Sequence, residues 1–251
     1  MPTLTTLSIQ NAIAIITLNH PEKNNILSEP MRNELTAHYH QCEQNTSIKI
    51  IILNANGKHF CAGADLNEML AMGNASFDEN LNNAKQLAQF FYQIYACKKP
   101  TICCIHGKAL GGGVGLAAAH DIMIATQTAE FCFPEVKLGL MPATIAPFVL
   151  RRIGCHMSKT LMLTAEMFSA KRAYEIKLID YLYEHEPIKT ALLLAEKMQQ
   201  NNLAAMQAAK TWLQALSSIT PQQLDQAARW LAEMRAGNDA KALMAERLHR
   251  G

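Results

Sequence analysis

The most constraining feature of this chain is a run of glycines placed between a short apolar segment and a stretch of very small residues. Thr101-Ile102-Cys103-Cys104-Ile105 reads as a buried strand. It leads into Ala109-Leu110-Gly111-Gly112-Gly113-Val114-Gly115 and then Leu116-Ala117-Ala118-Ala119. Successive glycines end a strand, because they pack no side chain and cost the most backbone entropy. The alanines that follow favour a helix that can sit close to its neighbours. The segment therefore predicts strand, tight turn and small-residue helix, with backbone N–H groups uncovered at the turn. Such amides, at the positive end of a helix, suit a developing oxyanion. A merely close-packed turn is the plainer alternative. A dinucleotide site is a third, because Gly113-Val114-Gly115-Leu116-Ala117-Ala118 fits G-x-G-x-x-A. That pattern calls for an acid at the end of the next strand, and Ala125-Thr126 supplies none.

Two further segments carry candidate chemistry. Phe60-Cys61-Ala62-Gly63-Ala64-Asp65-Leu66 follows a β-branched run at residues 48–53. Its small residues let a ligand approach the backbone, and Asp65 suits a helix N-cap. The other is Phe133-Pro134-Glu135-Val136, an acid among apolar neighbours. In an apolar pocket its pKa rises, which makes a carboxyl a useful proton carrier near neutrality.

Strand and helix patterns alternate over the first half. Residues 4–9 and 13–18 read as strands around Gln10-Asn11, Ser28 as an N-cap, 77–95 as a long amphipathic helix and 121–125 as a strand. From about Pro142 the pattern is helical: 145–153, 157–164, 170–177, 188–201, 203–216 and 221–234, with one strand at 179–183. An α/β core over 1–190 with a helical region over 191–251 is the expected organisation. The chain has 251 residues and 49% hydrophobic content, enough for a sizeable core. Net charge is +2, and the basic clusters are the pairs Lys98-Lys99 and Arg151-Arg152, so nucleic acid is not an expected partner. The seven cysteines show no C-x-x-C spacing and predict reduced, buried thiols. With no apolar run of membrane-spanning length and no charged leader at Met1-Pro2, a soluble cytoplasmic protein is expected.

Taken together, these motifs make the chain resemble the crotonase superfamily, the enoyl-CoA hydratase/isomerase family, over nearly its full length. Phe60-Cys61-Ala62-Gly63-Ala64-Asp65-Leu66 resembles F-x-A-G-A-D-L, and Ala109-Leu110-Gly111-Gly112-Gly113 resembles A-x-G-G-G. Pro134-Glu135 with Leu138-Gly139 resembles P-E-x-x-L-G, and Pro21-Glu22-Lys23-Asn24-Asn25-Ile26-Leu27 is similar to P-E-K-x-N-A-L. The resemblance implies a spiral of β-β-α turns with a helical C-terminal part, assembled as homotrimers or homohexamers. It implies acyl-CoA substrates, with coenzyme A part of the substrate and no separate cofactor or metal. By motif position it assigns the oxyanion amides to Ala62 and Gly112 and acid/base chemistry to Glu135. It places Lys23, Asn25, Ile26, Ala64, Asp65, Leu66, Gly115 and Pro134 along the substrate.

Two departures qualify that likeness. Two-carboxylate hydratases of the family carry G-G-G-x-E, whereas Gly115 stands at the acidic position here. A single-glutamate hydration is then expected, with space beside Gly115 for a branched acyl group. Leu138-Gly139-Leu140-Met141-Pro142-Ala143-Thr144-Ile145-Ala146-Pro147-Phe148-Val149 is similar to a stretch of bacterial methylglutaconyl-CoA hydratase-like members, which suggests 3-methylglutaconyl-CoA. The alternatives are a double-bond isomerase, for which one glutamate suffices, and a decayed acyl-CoA-binding protein. The tail, Ala245 to Gly251, lacks the family's aromatic-and-lysine ending, so no CoA contact is expected there.

Overall fold

A computed structural model describes residues 3–184, 186–217 and 219–249. The N-terminal Met1-Pro2 and the final Arg250-Gly251 of the tail motif lie outside the described residues. Strands β1 (Thr5–Gln10) and β2 (Ile13–Leu18) form an antiparallel hairpin closed by Asn11 and Ala12, both at positive φ. β2 continues in parallel to β3 (Ile50–Ala55), β4 (Thr101–Ile105), β6 (Ile122–Thr126) and β9 (Tyr181–Tyr183), giving the order β1-β2-β3-β4-β6-β9. A second sheet joins β5 (Lys108–Leu110), β7 (Glu130–Cys132) and β8 (Phe168–Ser169).

The two-residue period of the strands explains why their sequences are apolar throughout. Ile51, Leu53, Cys103 and Ile105 join the main core, which also takes in α1 (Glu29–Gln44), α3 (Phe77–Ala96) and α5 (Ala146–Thr164). Ile50, Ile52, Ile102 and Cys104 face the other way, onto Ala191 and Ala195 of α7 (Pro187–Met198). The sheet is thus covered on both faces. This is the α/β architecture expected. Gly154, at φ 71°, breaks α5 between the two helical stretches that the sequence separated.

The strand expected at 48–53 begins at Ile50, and the one at 179–183 shortens to Tyr181–Tyr183. The second sheet and the last helix, α10 (Asn238–His249), were not foreseen. Strands of two or three residues are too short to show alternation, and α10 has little apolar periodicity. The C-terminal helices fold back on the core. α9 (Pro221–Ala236), opened by a Thr220/Gln223 capping box, packs along α3, and α10 packs on α2 (Leu66–Asn74).

A buried polar clamp ties these helices together. Arg32 of α1 forms a bidentate pair with Glu68 of α2, at 2.6 and 3.1 Å. Asn83 of α3 donates to Glu68, and Arg235 of α9 donates to Asn83. Arg32 also donates to the Leu27 carbonyl at 2.6 Å. Burial weakens the proton hold of Arg235, down to about 10.

Candidate active site

The turn after β3 is pinned from two sides. Cys61 bridges to the second sheet, with its N–H donating to Lys108 O at 3.2 Å and its carbonyl accepting from Leu110 N at 3.0 Å. Leu27 N donates to Gly63 O at 2.8 Å. Gly63 sits at φ 91°, and a β-carbon there would stand 2.7 Å from Leu110 O, so only glycine fits. Asp65 caps α2 by accepting from Asn67 N and Glu68 N, as its position predicted.

This geometry moves one assignment. The Ala62 amide donates to Asn24 O at 2.9 Å and is therefore committed to the loop. The Ala64 amide, by contrast, donates to no carbonyl among the described residues. The same holds for Gly112 N, the first residue of α4 (Gly112–Ala118). The two are close: a β-carbon on Gly112 would stand 3.7 Å from Ala64 N. The available pair of amides is Ala64 and Gly112, and Ala62 is their scaffold.

Glu135 opens a 3-10 turn, Glu135–Leu138, closed by left-handed Gly139. Its Oε1 lies 2.7 Å from where a β-carbon of Gly111 would be, and Gly111 has φ 48°. A side chain at Gly111 would displace the carboxyl. The residue is partly exposed as a whole, but Oε2 is sealed from solvent and has no partner among the described residues. Burial pushes its pKa up to about 7, against a small lowering by its own backbone N–H.

These groups share one cavity of about 710 Å³. Ala64, Gly112 and Glu135 line it, with Leu27, Leu87, Phe91 and Leu231 as apolar wall and His59, Lys108, Lys137 and Arg247 as its basic side chains. His59 is held with its pKa lowered, by burial first and then by Lys58 and Lys108. A groove of about 790 Å³ between α1, α3 and α9 is slightly larger, but its lining, such as Asn33, Thr36, Lys85 and Gln89, holds no comparable buried acid.

The remaining expected residues divide. Ala64, Leu66 and Pro134 line the cavity. Asn25 does not: it is fully buried, accepting from His20 N and donating to Asn56 O and His59 O. It shapes the loop that presents Asn24. Lys23 is exposed on the 3-10 turn Pro21–Lys23, and neither it nor Ile26 or Asp65 lines the cavity. Gly115 is also off the cavity wall. A β-carbon there would meet Ile145 Cγ2 at 2.1 Å, so the room expected for a branched acyl group is already filled. Of the tail, Glu246 and Arg247 of α10 line the cavity. Asn24, Phe91, Leu231 and Arg247 went unsignalled because their motifs say nothing of which helix folds over the site.

The sequence profile of the enoyl-CoA hydratase/isomerase family matches residues 8–249. The chain belongs to the enoyl-CoA hydratase/isomerase family. Among its relatives, an enoyl-CoA hydratase of Alternaria alternata is 34% identical over 82% of this chain, which spans only 66% of that protein's length. The 2,3-dehydroadipyl-CoA hydratase of Escherichia coli is 31% identical over 86% of this chain and 84% of its own. The crystal structure of an enoyl-CoA hydratase from Shewanella pealeana superposes with a TM-score of 0.82 at 32% identity, covering 98% of this chain and 94% of that one. The crotonase-type fold expected from the motifs is the fold observed.

Proposed function

We propose that this family member hydrates an α,β-unsaturated acyl-CoA, using Glu135 as its one carboxyl acid/base and the Ala64 and Gly112 amides as an oxyanion hole. The observation that carries this reading is a carboxyl with a sealed Oε2 and a pKa of about 7, in the same cavity as two adjacent amides, neither Oε2 nor the amides having a hydrogen-bond partner among the described residues. The thioester carbonyl accepts from both amides. Glu135 takes a proton from water as the water oxygen bonds to the β-carbon. The C=C electrons move to the carbonyl as an enolate, and Glu135 returns the proton to the α-carbon. No cofactor beyond the CoA of the substrate enters this cycle.

Lys108, Lys137 and Arg247 suit the anionic CoA part, and Leu27, Phe91 and Leu231 suit the acyl chain. A branched acyl group such as 3-methylglutaconyl then packs against this apolar wall rather than beside Gly115. The molecule works as a soluble cytoplasmic homotrimer or homohexamer. The second reading, double-bond isomerisation, is favoured by the apolar Ile145 in place of a second acid. Decay to a binding protein is opposed by the retention of Glu135 in the same cavity as both amides.

The test is turnover of crotonyl-CoA, 2,3-dehydroadipyl-CoA, 3-methylglutaconyl-CoA and a 3-enoyl-CoA. Water addition to a 2-enoyl ester is the expected outcome. Conversion of the 3-enoyl ester alone would establish the isomerase, and binding without turnover would establish decay.

A further inference from the structure

The turn of α4 that faces Glu135 also shows what stands beside it. Gly111 backs onto the Glu135 carboxyl, and Gly115 backs onto Ile145. Gly115 N donates to Gly111 O at 3.1 Å, so the two positions are one helical turn apart, about 6 Å. The loop from Met141 to Ile145 therefore runs beside the acid, one helical turn of α4 away. It is stiff: Ala143 N donates to Met141 O at 2.8 Å, Ala146 N to Pro142 O at 2.9 Å, and Ile145 is wedged against Gly115.

Thr144 is the polar side chain of that loop. It is 4% exposed and lines the cavity. Its hydroxyl has no hydrogen bond to any described residue and is not sealed from solvent, in a residue that lines the cavity. A buried hydroxyl is normally satisfied by protein or by ordered water. Two other polar side chains of the cavity have protein partners: Lys137 donates to Ala165 O, and His59 Nδ1 accepts from Lys108 N.

We infer that Thr144 holds the reacting water against Glu135, in place of a second carboxylate. This rests on the hydratase reading above. The water donates one hydrogen bond to Thr144 Oγ and its other proton to Glu135. The water oxygen bonds to the β-carbon, the C=C pair becomes the enolate, and the proton on Glu135 passes to the α-carbon. Threonine neither gains nor loses a proton, so it positions the nucleophile without acting as acid or base. Exchange of the α-hydrogens of a saturated ester needs only Glu135 and the two amides. Hydration and exchange therefore separate at this residue.

Hydration of crotonyl-CoA and deuterium exchange at the α-carbon of butyryl-CoA are measured for wild type, Thr144→Val and Thr144→Ser. The isosteric valine is expected to lower hydration about 10- to 100-fold, the worth of one hydrogen bond, and to leave exchange within about twofold. Serine retains both reactions. Undiminished hydration by the valine variant overturns the assignment, as does an equal fall in hydration and exchange, which would mark Thr144 as a shaping residue. Wild-type protein that exchanges but never hydrates overturns the hydratase reading, and this inference with it.

Discussion

Glu135 is costly to bury as an anion and useful because of that cost. Its pKa near 7, against 4.5 for an ordinary glutamate, means the folded protein binds a proton that the unfolded chain has released between those values. Its contribution to stability is complete below about pH 4.5 and is lost as pH rises through about 7. The difference corresponds to an order of 3 kcal/mol at alkaline pH. Glu135→Gln removes this penalty, so the variant should unfold at a higher temperature than wild type at pH 8–9, while losing about 10²–10⁴-fold in turnover. An equal or lower melting temperature at alkaline pH would contradict the burial argument. Because the proposed hydration needs the carboxylate, wild-type kcat/KM should fall as pH drops through about 7; a flat profile from pH 5.5 to 8.5 would exclude Glu135 as the base. Gly115→Glu gives a different outcome. Its β-carbon would already overlap Ile145, so the substitution should lower both stability and hydration, and a gain in activity would show that Ile145 swings aside readily.

At the scale of elements, the clamp of Arg32, Glu68, Asn83 and Arg235 joins α1, α2, α3 and α9, and through Leu27 O it steadies the loop that pairs with Gly63. Glu68 stays ionised in spite of burial because Arg32 and Asn83 outweigh that penalty, and its pKa is lowered. Glu68→Gln would leave two buried guanidiniums without a carboxylate, at a cost of roughly 3–5 kcal/mol. A urea midpoint unchanged from wild type would show that the pair is dispensable. Little of this was readable in advance. Arg32 is a buried ion-pair partner, and its neighbours in sequence carry no signal of that role. The glycine turns, the α2 cap and the acid were legible because backbone conformation restricts which residues fit. Which amide of Ala62-Gly63-Ala64 stays free was not, since that depends on Asn24 O approaching from a loop almost forty residues away. Nor was Ile145 behind Gly115, because a glycine marks space needed without saying what fills it.

For the whole molecule, the telling element is α8 (Leu203–Leu216), none of whose residues is buried. Lys210 and Gln214 reach inward, to Asp121 and to the Lys99 and Tyr95 carbonyls, and so fix the helix on the surface. Its other side then presents Trp212, Leu213 and Leu216, each more than 60% exposed. Single exposed apolar side chains are ordinary, but a tryptophan and two leucines on one helix are a contiguous surface of the kind that assembly covers. With a homotrimer or homohexamer as the proposed state, α8 is the element to test. Leu213→Asp places a charge at that surface without touching the inward contacts, so the subunit should stay folded while the assembly weakens. Light scattering across a dilution series should show wild type at three or six subunits and the variant shifted toward one. A wild type that is monomeric at micromolar concentration would remove the argument. An unshifted variant would place the contact on another face, such as that of Trp230 and Met234 on α9.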